Sequence, residues 1–238
     1  MTGDRSAERR DAGMSVVEMV VAAGLVVVLG TMIMTVAILG IRTSAGLEVR
    51  LDNSVQGELG IAATGKVLRT AVLPAQLDDQ ACDSCADTAI VQASSTRVTF
   101  YANIDNSGGG PSLVTVEALP DPHHGGTGML RQTRVPPTPL PGGKYEFCDP
   151  AQASCATERR VLARGLVWPT ARLFTYYDFD GGPISGTTVA GTDLPSISSV
   201  DVSITVQTVP GRAEYPTTTT VQRIRLPNAD LNVIVEPS

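Results

Sequence analysis

Residues 13–25 read GMSVVEMVVAAGL, and the apolar run that opens there continues to Ile41. From Met19 to Ile41 no residue is charged. As a helix rising about 1.5 Å per residue, that stretch crosses a hydrocarbon core about 30 Å thick. One acid, Glu18, stands near its start, and no lysine, arginine or histidine occurs between Gly13 and Ile41. A lone carboxylate in a membrane span costs roughly 2.5–3.5 kcal/mol on insertion scales, so a partner for Glu18 has to be sought outside the segment.

The helical pattern does not stop where the apolar run stops. Leu47, Leu51, Val55 and Leu59 recur every fourth residue, followed by Ala62, Ala63 and Val67, with polar residues between them. This spacing lays one apolar stripe along an otherwise wet helix. Pro74 is the first proline, and helices end at or before the residue preceding one. One helix is therefore expected from about residue 15 to about residue 72, roughly 85 Å long. It is membrane-spanning over 14–41 and amphipathic over 42–73. Gly30, Gly40, Gly46, Gly57, Gly60 and Gly65 are its weak points, each costing up to about 1 kcal/mol against alanine. Arg5, Arg9 and Arg10 precede the span, and Arg42 and Arg50 follow it, a weak bias towards a cytoplasmic N-terminus. An alternative is a signal peptide cleaved after Thr43-Ser44-Ala45, although its apolar region would exceed the usual 7–15 residues.

Beyond Pro74 β-branched residues and turn signals take over. AIVQASSTRVTFYANI gives two runs around a polar turn, and SLVTVEAL, GMLRQTRV, RLFTYYDF, SSVDVSITVQTV and TTTVQRIRL read as further strands. Val200, Val202, Ile204 and Val206 alternate onto one face, as in an antiparallel sheet with one face wet. VPPTPLPGGKYEF reads as a proline-rich surface loop. The expectation is an α+β fold: a long N-terminal helix, transmembrane and then amphipathic, whose apolar stripe covers an antiparallel β-sheet head over 74–238.

The chain has 238 residues, 42% of them hydrophobic but only 4% aromatic, so the core must be aliphatic. The net charge of −6 and the lack of a basic patch argue against a nucleic-acid partner. Lysine occurs only at Lys66 and Lys144, which reads as compositional bias towards arginine. No G-x-S-x-G or Walker sequence is present, and the glycine runs do not precede a helix start. No catalytic residue and no cofactor is assigned.

A partner for Glu18 arises if the chain is cut after Gly13. Met14 then carries an α-amino group, cationic at neutral pH. The amine of one subunit, set against the carboxylate of its neighbour in a bundle, would neutralise both charges and fix the axial register. A short charged leader ending in glycine, five residues ending in glutamate and then an apolar helix resemble the class III signal of type IV prepilins and pseudopilins. The resemblance covers about the first thirty residues. It implies a leader over 1–13, a prepilin peptidase that cuts between Gly13 and Met14 and methylates the new amine, and Glu18 as the residue needed for subunit recruitment. It also implies a long helix on an antiparallel sheet, other pilin or pseudopilin subunits and a membrane assembly platform as partners, and an ATPase outside this chain. The sequence departs from the pattern in having Met14 where phenylalanine is usual, Ala12 before the glycine, and no proline deep in the apolar helix.

RVTFYANIDNSGGG, LVTVEAL and MLRQTR are similar to the sheet region of PilW-like minor pilins. RLFTYYDFDG, LPSISSVDVSITV and VQRIRLPN resemble the C-terminal half of these proteins and of J-type minor pseudopilins. The resemblance implies a minor pilin or pseudopilin that initiates, caps or decorates a type IV pilus or type II secretion pseudopilus. It would be inserted in the cytoplasmic membrane as a single-pass precursor and then assembled into an extracytoplasmic filament. The alternatives are a membrane-anchored extracytoplasmic binding domain that never polymerises and a secreted enzyme.

Four cysteines in an exported head suggest disulfides. The local pairs Cys82–Cys85 and Cys148–Cys155 are favoured, with crossed pairing open because the first closes a very tight loop; a four-cysteine zinc site and a redox C-x-x-C are the rivals. Asp178 and Asp180 in YDFDGG, with Asp105 and Asn106 in NIDNSGGG, are weak calcium candidates; neither stretch has a full EF-hand set, and turn chemistry explains both. His123 and His124, in PDPHHGG, read as a loop tip without further metal ligands nearby. Thr217–Thr220 reads as strand, with glycosylation as the other reading.

Overall fold

The computed structural model describes residues 15–74, 82, 85–104, 110–169, 172–211 and 215–228. The fold is α+β: one long N-terminal helix and a C-terminal antiparallel sheet. Helix α1 runs Val16–Leu68, so the glycines inside it do not interrupt it. The chain divides into two compact units at Leu47 and Glu48. The first holds the stretch of α1 that is long and apolar enough to cross a membrane. Within it Thr31, Thr35 and Thr43 donate their hydroxyls to the carbonyls of Val28, Thr31 and Leu39, so these polar side chains are satisfied inside the helix.

The second unit holds the rest of α1 and the sheet. The strands are β1 (Ile90–Ala93), β2 (Arg97–Ala102), β3 (Ser112–Pro120), β4 (Thr127–Val135), β7 (Glu158–Val167), β8 (Phe174–Tyr177), β9 (Ser199–Val206) and β10 (Thr218–Arg225), with β5 (Thr138–Pro139) and β6 (Tyr145–Glu146) as a separate small ribbon. The order is β1-β2-β3-β4-β7-β9-β10, with β8 also on β9, and every pairing is antiparallel. The expected alternation holds in β9: Val200, Val202, Ile204 and Val206 are all fully buried. They join Val98, Phe100, Val114, Val116, Leu130 and Phe174 in one core that is mostly aliphatic.

Three expectations are corrected. First, α1 ends at Leu68, a turn earlier than Pro74 would dictate. The next residues leave the helix to pair with β2: Val72 N–H donates to the Tyr101 carbonyl, and Asn103 N–H donates to the Thr70 carbonyl. Second, the longest strand, β7, lies in a stretch the alternation pattern does not mark. Its pairing with β4 slips twice, and Gly165 (φ +72°) is skipped between Arg164 and Leu166, a bulge that glycine accommodates without strain.

Third, the sheet is covered by a different face of α1. Leu47, Leu51, Val55 and Leu59 stay at least half exposed. The buried residues of α1 are Asn53, Gly57, Gly60, Ile61, Thr64, Gly65 and Leu68. At about 100° per residue these centre on the side of the helix opposite the leucine stripe. The reason is size. A Cβ at Gly60 would lie 2.7 Å from Ala163 Cβ and 2.9 Å from Ile204 Cδ1, and one at Gly57 would lie 2.9 Å from Thr220 Oγ1. The helix backbone sits directly on β7, β9 and β10, and only near-bare residues permit that approach. Thr64, also on this face, sends its hydroxyl to the Gly60 carbonyl at 2.7 Å.

Candidate functional site

Gly13 and Met14 lie outside the described residues. Glu18 lies in the first turn of α1, whose Met19 N–H bonds the Ser15 carbonyl. An acid there is favoured by the partial positive charge of a helix N-terminus. Within the first unit the large apolar side chains of α1 from Val16 to Ile41, and Leu47, are exposed; within the second, Leu51, Val55 and Leu59 are exposed. Sequence reasoning found these residues but assigned them to the sheet.

Asn53 was not singled out and is fully buried. Its Oδ1 accepts both the Thr208 N–H and the Thr208 hydroxyl at 2.9 Å, and its Nδ2 reaches the Pro216 carbonyl at 3.3 Å. One amide on α1 thus ties down both ends of the β9–β10 connection. Its sequence signal was an asparagine four residues before Gly57 on the face of small residues.

The cysteines pair locally. Cys82 bonds Cys85 and Cys148 bonds Cys155, each with a Cα separation of 5.5 Å. No group of three potential metal ligands occurs among the described residues. Asp178 serves as a turn residue: its Oδ1 accepts the Gly182 N–H at 2.7 Å and its carbonyl accepts the Gly181 N–H. Asp180 is exposed in the same turn, and Asp105 and Asn106 lie outside the described residues.

His123 and His124 belong to the β3–β4 turn, built around Asp121, whose side chain is completely buried. Asp121 Oδ1 accepts the His123 N–H at 2.9 Å, Oδ2 accepts Arg164 Nη1 at 2.7 Å, and His124 Nδ1 lies 3.4 Å from Oδ2. Burial pushes the carboxyl up, but the His123 N–H and the Arg164 guanidinium outweigh it and hold the pKa at about 2. On the sheet's far side Arg223 forms a two-pronged pair with Asp201, at 2.7 and 2.9 Å, and stacks 3.7 Å from the Tyr177 ring centre. That fork holds the Asp201 carboxyl below its usual range.

No protein-family model matches the chain, and no curated protein or solved structure matches it either.

Proposed function

We propose that this chain is a minor subunit of a type IV pilin-like filament, processed at Gly13–Met14, anchored by the first part of α1 and assembled through it. One observation supports this reading above the others. The head is seated on the small-residue face of α1, which leaves Leu51, Val55 and Leu59 of the same helix uncovered. A simple membrane anchor has no need of apolar residues on the outer face of its extramembrane half, since each exposed leucine forgoes roughly 1.5–3 kcal/mol of burial. A helix that packs against neighbouring helices uses such a stripe. Glu18 is the one acid in the apolar run, and an adjacent subunit's Met14 amine is the partner assigned to it. No catalysis is assigned to the chain.

The test is the mature N-terminus, read by mass spectrometry with and without prepilin peptidase. The expected product begins at N-methylated Met14 and disappears when the peptidase is absent. A chain that keeps its leader, or begins at Gly46, returns the molecule to a membrane-anchored binding domain or a secreted one. Once processing is established, Glu18→Ala is expected to insert and fold normally while failing to enter filaments.

A further inference from the structure

The outer face of the sheet, turned away from the core, is not a plain solvated surface. In register across five strands stand Gln92, Thr99, Thr115, Thr133 and Arg159. Two residues along, on the same face, stand Arg97, Glu117 and Arg131. Thr99, Thr133 and Glu117 are each under a tenth exposed although they face outward. They form the floor of a cleft of about 460 Å³, one wall of which is Asp149–Ala151 in the loop closed by Cys148–Cys155. That volume lies within the range of small-molecule sites, about 300–1,000 Å³.

Part of the cleft is already satisfied. Glu117 is gripped from both sides, by Arg131 Nη2 at 2.8 Å and Arg97 Nη2 at 3.1 Å, and Thr99 and Thr115 bond each other at 3.0 Å. The remainder is open. The side chains of Arg159, Thr133 and Gln92 have no hydrogen bond or ion pair with another described residue, and Asp149 uses only Oδ1, on the Ala151 N–H. Three guanidinium groups face two carboxylates, a local charge of +1 in a chain of net charge −6. The open groups therefore ask for two things at once: an anionic group for Arg159, and hydroxyl donors for Asp149 Oδ2 and the Gln92 amide oxygen. A bare anion such as sulfate offers nothing to Asp149, and a neutral sugar leaves the third guanidinium uncompensated. We propose that this cleft binds a sugar acid, a polyhydroxylated ring bearing one carboxylate, with Arg159 on the carboxylate and Asp149, Gln92 and Thr133 on the ring hydroxyls.

The inference does not rest on the filament reading, and its test is separate. The full chain in a polyoxyethylene detergent, chosen because sugar-headed detergents would compete, is titrated calorimetrically with galacturonate, trigalacturonate, galactose and sulfate. Galacturonate is expected to bind about tenfold or more tightly than galactose or sulfate, the worth of one charge-assisted contact. Trigalacturonate binding tenfold tighter again would place the sugar acid within a polymer; equal binding would place it free in solution. Arg159→Gln is expected to lose about tenfold or more for galacturonate while melting like the wild type, since Arg159 is exposed. Thr133→Val weakens both sugars together. Arg160→Gln, one residue along β7 and outside the cleft, leaves affinity unchanged. Galactose or sulfate matching galacturonate, an Arg159→Gln variant within twofold of the wild type, or no binding by any of the four overturns the proposal.

Discussion

Asp121 shows how one residue makes stability depend on pH. Its carboxyl has a pKa of about 2 in the folded chain and an ordinary value near 3.9 when unfolded. The folded pKa is the lower, so the stabilisation is fully present above about pH 4 and is lost as pH falls towards 2. Urea midpoints measured from pH 6 to pH 2 should fall more steeply for the wild type than for Asp121→Asn. At neutral pH Asp121→Asn should cost about 1–3 kcal/mol, because Arg164 loses its charged acceptor at a buried site. Gly60 sets a different limit, one of space. Gly60→Ala gains up to about 1 kcal/mol of helix propensity but drives its Cβ into Ala163 Cβ, which cannot step aside. The net expectation is a loss of about 1–2 kcal/mol. At Gly65 the only close neighbour within 3.4 Å is the end of the Ile224 side chain, so Gly65→Ala should be nearly neutral. Thermal melts of the two variants, side by side, decide whether close approach or helix propensity governs this face.

Among the elements, the strands with clean alternation were legible from the sequence, and β9 is the plainest case. Long β7 was not, because its alternation is cut by two register slips and its exposed half carries Arg159 and Arg160. The existence of α1 was legible too, but its buried face was misread. Hydropathy marks Leu47, Leu51, Val55 and Leu59, whereas the sheet selects for size, and Gly57, Gly60, Thr64 and Gly65 carry little hydropathy signal. The spacing of three and then four residues from Gly57 through Gly60 to Thr64 was the available clue, hidden because each glycine was read as a weak point in the helix. The buried Asp121–Arg164 pair was illegible for another reason: forty-three positions of sequence separate its members, and only the β4–β7 pairing brings them together. At the same scale, the Cys148–Cys155 loop forms a wall of the polar cleft. Reducing that bond releases a short loop, worth about 2 kcal/mol in chain entropy. Denaturant titration of Cys148→Ser/Cys155→Ser should show this loss, with β9 and β10 amides keeping their hydrogen-exchange protection because they lie on the far side of the sheet.

For the molecule as a whole, the proposed filament role would give the two faces of α1 separable jobs, and one pair of substitutions distinguishes them. Leu68 is completely buried in the core of the head, whereas Leu59 is 57% exposed. Leu68→Asp places a charge with no partner in an aliphatic interior and should unfold the head outright, since such a burial costs more than most domains have to spare. Leu59→Asp meets only solvent in the isolated subunit and should leave its melting temperature unchanged, with an effect within about 0.5 kcal/mol. If α1 packs against neighbouring subunits, that same aspartate is carried into an apolar interface, where an unpaired charge costs several kcal/mol, and the folded variant should be excluded from assemblies. Circular dichroism of each variant, together with its recovery in sheared filament fractions, reads both effects. A folded Leu59→Asp chain that enters filaments as well as the wild type would show that the leucine stripe is not a packing surface, and the assembly role proposed for this helix would then have to rest on its membrane segment alone.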